Sequence, residues 1–145
     1  MKKLFLYFIL SGLFLFTGCK VEPEPINYGK DQCHFCKMNI VDKQHAAQMV
    51  TKKGKQYKYD AIECMINELK KNGNIDDIAI FRVSDYGLGE MIDAQSATYL
   101  ISEKIKSPMG ANLSAFKSRE RAEKFQKKEG GDLYTWDEIL VKIGK

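Results

Sequence analysis

The chain has 145 residues, of which 23 are basic and 19 acidic, for a net charge of +4. Lys2 and Lys3 sit in an N-terminal segment apart from the rest, so the remainder is near charge balance and gives no footprint for a nucleic-acid partner. Two histidines, without a nucleophile elbow or a Gly-rich phosphate loop, leave no acid–base pair and argue against an enzyme.

Residues 1–18 read as a targeting segment. Lys2 and Lys3 form a positive start, Leu4 to Phe16 are apolar except for Ser11 and Gly12, and Thr17-Gly18-Cys19 places small residues before a cysteine. The stretch is short for a membrane-spanning helix and resembles a bacterial lipoprotein signal, with Phe16 where that pattern usually has leucine. On that reading Cys19 becomes the lipidated first residue of the mature chain, carrying palmitate-type acyl groups that hold it at a bilayer without spanning it. The other reading is an ordinary cleaved signal that leaves Cys19 as a thiol. Residues 19–27, charged and proline-spaced at Pro23 and Pro25, read as a stiff tether lifting the domain off the membrane.

The folded part is expected from residue 28 onward. Ala47 to Thr51 and Gln56 to Tyr59 read as a hairpin around Lys52-Lys53-Gly54-Lys55. Asp60 then has the character of an N-cap, with Glu63 three residues later completing a capping box. Ile62, Met65, Ile66 and Leu69 follow at helical spacing, and Asn72-Gly73 ends the helix. Ile78 to Val83 is a β-branched and aromatic strand. Glu90 to Asp93, Thr98 to Ile101 and Asn112 to Phe116 are further strands. Ser118 opens a second helix, stopped by Gly130-Gly131, and Thr135 to Glu138 is a capping box before a short terminal helix. The order predicts an α+β protein of two small ββαβ-type units in tandem, 28–84 and 85–145, with a boundary near Ser84 to Gly89.

Sulfur carries the chemistry. Cys33-His34-Phe35-Cys36-Lys37-Met38 places two thiols and a thioether on one short segment, a donor set that selects for a thiophilic ion, copper(I) above all. With Cys19 acylated, Cys33, Cys36 and Cys64 remain; an odd number is awkward for disulfides and unproblematic for a metal. Cys64 lies nearly opposite the Ile62/Met65/Ile66/Leu69 stripe, so it either faces the Cys33–Cys36 turn or is an exposed thiol. Met65 reads as core. Met109, in the Ser107-Pro108-Met109-Gly110 turn, is either a surface cap over the core or a thioether presented on a rigid loop. Two other readings stay open. A zinc knuckle would take a fourth donor from His34, His45 or Cys64. Cys33 and Cys36 could instead work as a redox dithiol or a structural disulfide, although a redox pair wants a helix start, and Met38 to Asp42 has no helical periodicity.

Several of these motifs together carry a resemblance: Cys36-Lys37-Met38, Asp60-Ala61-Ile62-Glu63-Cys64-Met65, Asp93-Ala94, Ser107-Pro108-Met109-Gly110, and Gly130-Gly131 followed by Trp136-Asp137-Glu138. The chain is similar to the NosL family of lipoproteins, from the lipidation motif to the C-terminus. The resemblance implies two ββαβ units, a lipid anchor facing the periplasm, and copper(I) delivered to apo nitrous-oxide reductase or another cuproenzyme. It implies Met109 as a ligand, with Cys36 and Met38 matching the family's Cys-x-Met segment. The chain departs from the pattern by having Ala111 and Asn112 where a histidine follows Pro-Met-Gly, and by the extra Cys33. A copper site is therefore expected among Cys33, Cys36, Met38, Cys64 and Met109, with His34 and His45 secondary.

Overall fold

The computed structural model describes residues 21–143. The signal reading of residues 1–18 and the lipidation of Cys19 lie outside the described residues.

The described residues contain seven strands and three α-helices, in the order β1 (Ala47–Thr51), β2 (Gln56–Tyr59), α1 (Ile62–Asn72), β3 (Ile78–Ser84), β4 (Met91–Asp93), β5 (Thr98–Ile101), β6 (Leu113–Phe116), α2 (Arg119–Glu129), β7 (Asp132–Tyr134) and α3 (Trp136–Lys142). A 3₁₀ turn, Ile75–Asp77, precedes β3. Two antiparallel sheets result, ordered β2-β1-β3-β4 and β6-β5-β7. The runs β1-β2-α1-β3 and β5-β6-α2-β7 therefore share one plan, in which the first strand is central and the helix connects the two strands beside it. The α+β class and the ββαβ order expected from the sequence are both present. β4, counted with the second half from sequence, pairs with β3, Val83 opposite Ile92.

Alternation along the strands explains how the second sheet is covered on both faces. Tyr99 on β5 enters the main core with Leu113, Ala115, Ile62, Met65 and Phe81, while its neighbour Leu100 joins Phe116, Ala122 and Ile105 under α2. All four residues of β6 are buried as a result. Trp136 and Ile139 of α3 close the main core; the Trp136 ring lies 5.5 Å from that of Phe81 and 6.1 Å from that of Tyr99. The capping box expected at Thr135 forms, with Thr135 and Glu138 bonding reciprocally.

Buried polar side chains join the halves. Asp85, wholly buried, accepts from the backbone N–H groups of Gly87, Leu88 and Lys117 at 2.9, 2.9 and 2.7 Å. His45, 2% exposed, bonds Asp42 Oδ2 through Nδ1 at 2.7 Å and approaches the Ser114 hydroxyl at 3.3 Å. The proline-spaced segment has no regular secondary structure over its described residues, yet it does not stand free. Gln48 donates to the Glu24 carbonyl at 2.8 Å, Gln56 to that of Glu22 at 2.9 Å and Lys58 to that of Pro25 at 2.8 Å. These bonds strap it along the β1–β2 hairpin.

The second helix stops where the sequence places Gly130-Gly131, and Gly131 adopts φ +97° with its backbone against Ile101. A Cβ there would collide with the Ile101 carbonyl. Gly54, at φ +82° in the hairpin turn, faces open space. Gly131→Ala is therefore expected to destabilise the fold by about 3 kcal/mol or more, and Gly54→Ala by about 1 kcal/mol, measured by equilibrium urea unfolding.

Candidate metal centre

Residues 33–38 fold into a tight knuckle. The Cys33 N–H donates to the Met38 carbonyl at 2.8 Å and the Lys37 N–H to the Cys33 carbonyl at 3.0 Å, with Lys37 in the left-handed region at φ +67°. Gln32 bridges to Asn39 at its base, and the His34 N–H bonds the Lys58 carbonyl on β2 at 2.8 Å. This closure turns both thiols inward against β2 and the start of α1. Cys33 is fully buried and Cys36 partly so.

The opposing wall is the turn from Asp60 into α1. The helix is capped by the backbone of Ala61, without a side-chain cap bond, so the capping box expected between Asp60 and Glu63 is not formed. Both carboxylates are used elsewhere. Asp60, 2% exposed, accepts from Cys36 Sγ at 3.4 Å, and its second oxygen is buried without a partner. Glu63, also 2% exposed, turns toward the Ser107–Ala111 loop. Cys64 projects off the apolar stripe, as the wheel requires, and is fully buried. It faces Cys33, which excludes the exposed-thiol reading; Met65 is fully buried core.

The Sγ atoms of Cys33, Cys36 and Cys64 and a carboxylate oxygen of Asp60 all lie within 4.8 Å of one another. All three cysteines are free thiols. Sequence reasoning missed Asp60 as a member of this set, because an aspartate just before a helical stripe reads first as a cap. The signal was present in Cys64, four residues later on the same face of the turn.

The other candidates are placed differently. Met38 shares the knuckle, but its side chain is 52% exposed. Met109, 41% exposed, sits on a turn closed by the Gly110 N–H to the Ser107 carbonyl at 3.1 Å. His34 pairs with Glu68 at 3.4 Å and stacks edge-on against Tyr57. His45 is the inter-sheet link described above. Neither histidine belongs to the cluster of three cysteines and Asp60.

Proximity splits the thiols. Cys64 donates to Cys33, and that bond holds the Cys33 thiol down at about 6. The same bond, with burial, pushes Cys64 well above the usual thiol range. Burial pushes Cys36 up to about 11. Of the three, Cys33 is the thiol whose ionisation the neighbours favour, while Cys36 and Cys64 are held toward the neutral form. A soft ion bound there would displace thiol protons, and the thiol most ready to give one up is Cys33.

The fold and cluster define a small α+β protein whose cysteines, distant in sequence, assemble a buried three-thiol, one-carboxylate site. The chain belongs to the NosL family, whose model matches residues 26–143. It is 29% identical over 149 residues to the copper-binding lipoprotein NosL of Stutzerimonas stutzeri, covering 90% of this chain and 78% of the relative. The crystal structure of the copper chaperone NosL from Shewanella denitrificans has the same fold, with a TM-score of 0.73 at 22% identity, covering 83% of this chain and 96% of that one.

The thiol arrangement has a pH signature. In reduced, metal-free protein, thiolate absorbance near 240 nm should rise with a midpoint near pH 6 as Cys33 loses its proton. Cys64→Ala removes the donor that stabilises this anion, so the midpoint should move upward toward the ordinary thiol range.

Proposed function

We propose that this protein is a copper(I) carrier anchored to the cell-envelope membrane through lipidated Cys19 and facing the periplasm. Its cargo is held by the thiolates of Cys33, Cys36 and Cys64, with Met38 and Met109 as outer donors, and is passed to nitrous-oxide reductase or a related cuproenzyme. The observation that carries this reading is the convergence of three sulfurs inside 4.8 Å, the low-coordinate soft environment that a monovalent copper ion prefers. The copper-binding lipoprotein and the copper chaperone among its relatives support it. A carrier of this kind changes no covalent bond in its cargo. It exchanges one sulfur ligand for another, and the partly exposed Cys36, next to the exposed Met38, is the ligand best placed to meet a recipient's sulfur. Among the described residues no helix is long and apolar enough to cross a membrane; in this reading the attachment is through the acyl chains of Cys19.

Asp60 favours a second reading. Three thiolates and one carboxylate make a closed tetrahedral set, which zinc accepts in structural sites.

Titrating the reduced protein anaerobically with copper(I) against a competing chelator separates the two. One ion per chain is expected, with Cys36→Ser or Cys64→Ser each weakening binding by more than about tenfold, or about 1.4 kcal/mol. Uptake that is substoichiometric and indifferent to Cys33, Cys36 and Cys64 substitutions would overturn the carrier. Zinc retained through purification and not displaced by copper(I) would establish the second reading in its place.

A further inference from the structure

The β1–β2–α1 unit has a basic end, and it is the end away from the cysteines. β1 runs into the Lys52-Lys53-Gly54-Lys55 turn, and α1 finishes with Lys70, Lys71 and Asn72 before the 3₁₀ turn. The Lys52 N–H donates to the Asp77 carbonyl at 2.9 Å and Thr51 pairs with Ile78, which brings the hairpin turn and the 3₁₀ turn together. Lys52, Lys53, Lys55, Lys70 and Lys71 are all exposed. Lys70 donates to the Ile143 carbonyl and the Lys55 ammonium lies 4.8 Å over the Tyr57 ring, so both keep their charge at this end. The carboxylates that share it are Asp76, Asp77 and Glu22, and positive charge stays in excess. Ile75, 41% exposed, stands between the helix end and these acids. A single exposed isoleucine means little by itself.

The strap is the second, independent observation. It leaves the core at Ile26 and runs back along β2, with Pro25 bonded to Lys58 and then Glu24 and Glu22 bonded to Gln56. That direction leads toward the lysine turn. Cys19 is three residues before Glu22, a reach of no more than about 11 Å. Acyl chains carried by Cys19 would therefore enter a bilayer close to Lys55. The cysteine centre is at the other end of the unit. Cys64 lies in the first turn of α1 and Lys71 in its last, and a helix of 11 residues spans about 16 Å.

We propose that this end of the molecule is a membrane-facing surface: Lys52, Lys53, Lys55 and Lys71 rest on anionic lipid headgroups with Ile75 at the interface, which turns the cysteine centre away from the bilayer. The partner is a lipid surface of negative charge. Each lysine adds a modest attraction that salt screens, too weak to hold a protein alone but enough to fix how an anchored one lies. The inference rests on the lipidated Cys19 of the reading above and is independent of the ion the cysteines carry.

The test uses the acylated full-length protein reconstituted in vesicles whose acyl chains carry bromine, a quencher of tryptophan fluorescence. Ile75→Trp places a reporter at the basic end, and Val41→Trp, at a position 68% exposed beside the knuckle, places one at the cysteine end. Trp136 is buried and contributes the same background to both. On phosphatidylcholine vesicles containing about one third phosphatidylglycerol, quenching at residue 75 is expected to exceed that at residue 41 by about threefold or more. It should fall by about half or more on pure phosphatidylcholine, in high salt, or when Lys52→Gln, Lys53→Gln and Lys55→Gln are combined. Should Ile75→Trp fail to fold, Lys53→Trp on the exposed turn serves as the reporter. Equal quenching at the two ends, or quenching at residue 75 that ignores lipid charge and the lysine changes, would overturn the membrane-facing surface and leave the anchor intact. A protein that does not float with neutral vesicles in high salt would overturn the acylated anchor, and this inference with it.

Discussion

A carboxylate held out of water without a full set of partners is the constraint on which the rest of this site depends. Asp60 is 2% exposed, its first oxygen receives a thiol donor and its second receives none. In a protein interior such a group is costly unless it meets donors or a cation. Around it stand three sulfurs, and the neighbouring Cys64 thiol favours ionisation of one of them, Cys33. The metal-free site is therefore an incomplete electrostatic arrangement. A cation entering it would offset part of the negative charge on the carboxylate and favour loss of protons from the thiols that bind it, the protons passing to solvent. Binding and local stability are thereby coupled.

The fold supplies the two walls that make such an arrangement stable. One is the knuckle of residues 33–38, pinned by its own backbone bonds and by the Lys58 carbonyl. The other is the N-terminal turn of α1, pinned by Ile62, Met65 and Ile66 in the core shared by both sheets. Both walls are held by bonds or packing to other parts of the fold. On the proposed carrier reading such a frame would suit ligand exchange, because the sulfurs would need no assembly for each cycle. The partly exposed Cys36 and the exposed Met38, on the same knuckle, give the enclosed sulfurs an outward face.

Much of the fold is written in local pattern. The hairpin of β1 and β2, the β3 strand, both Gly-terminated helices and the Thr135 capping box each follow from residues adjacent in the chain, and each is present. β7 escaped because three residues between a Gly-Gly stop and a capping box offer no alternation to read; only its pairing with β5, Tyr134 opposite Tyr99, makes it a strand. β4 was recognisable as a strand, but its partner, β3 across the Asp85–Gly89 turn, is a tertiary choice.

The site divides along the same line. The position of Cys64 off its helical stripe is geometric and was legible, and so was the pull toward the Cys33–Cys36 turn. Asp60 and Glu63 were not, because aspartate and glutamate three apart before an apolar run satisfy the capping-box pattern, and tertiary partners outcompeted the local bonds. A thiol and a loop hydroxyl, 24 and 44 residues away along the chain, cannot be seen in a window of four. The measurement that goes most directly to the centre of this account is a crystal structure of the copper(I)-loaded protein with an anomalous copper signal. The account predicts one peak within bonding distance of Cys33, Cys36 and Cys64 beside the Asp60 carboxylate; a peak bonded to none of these sulfurs would contradict it.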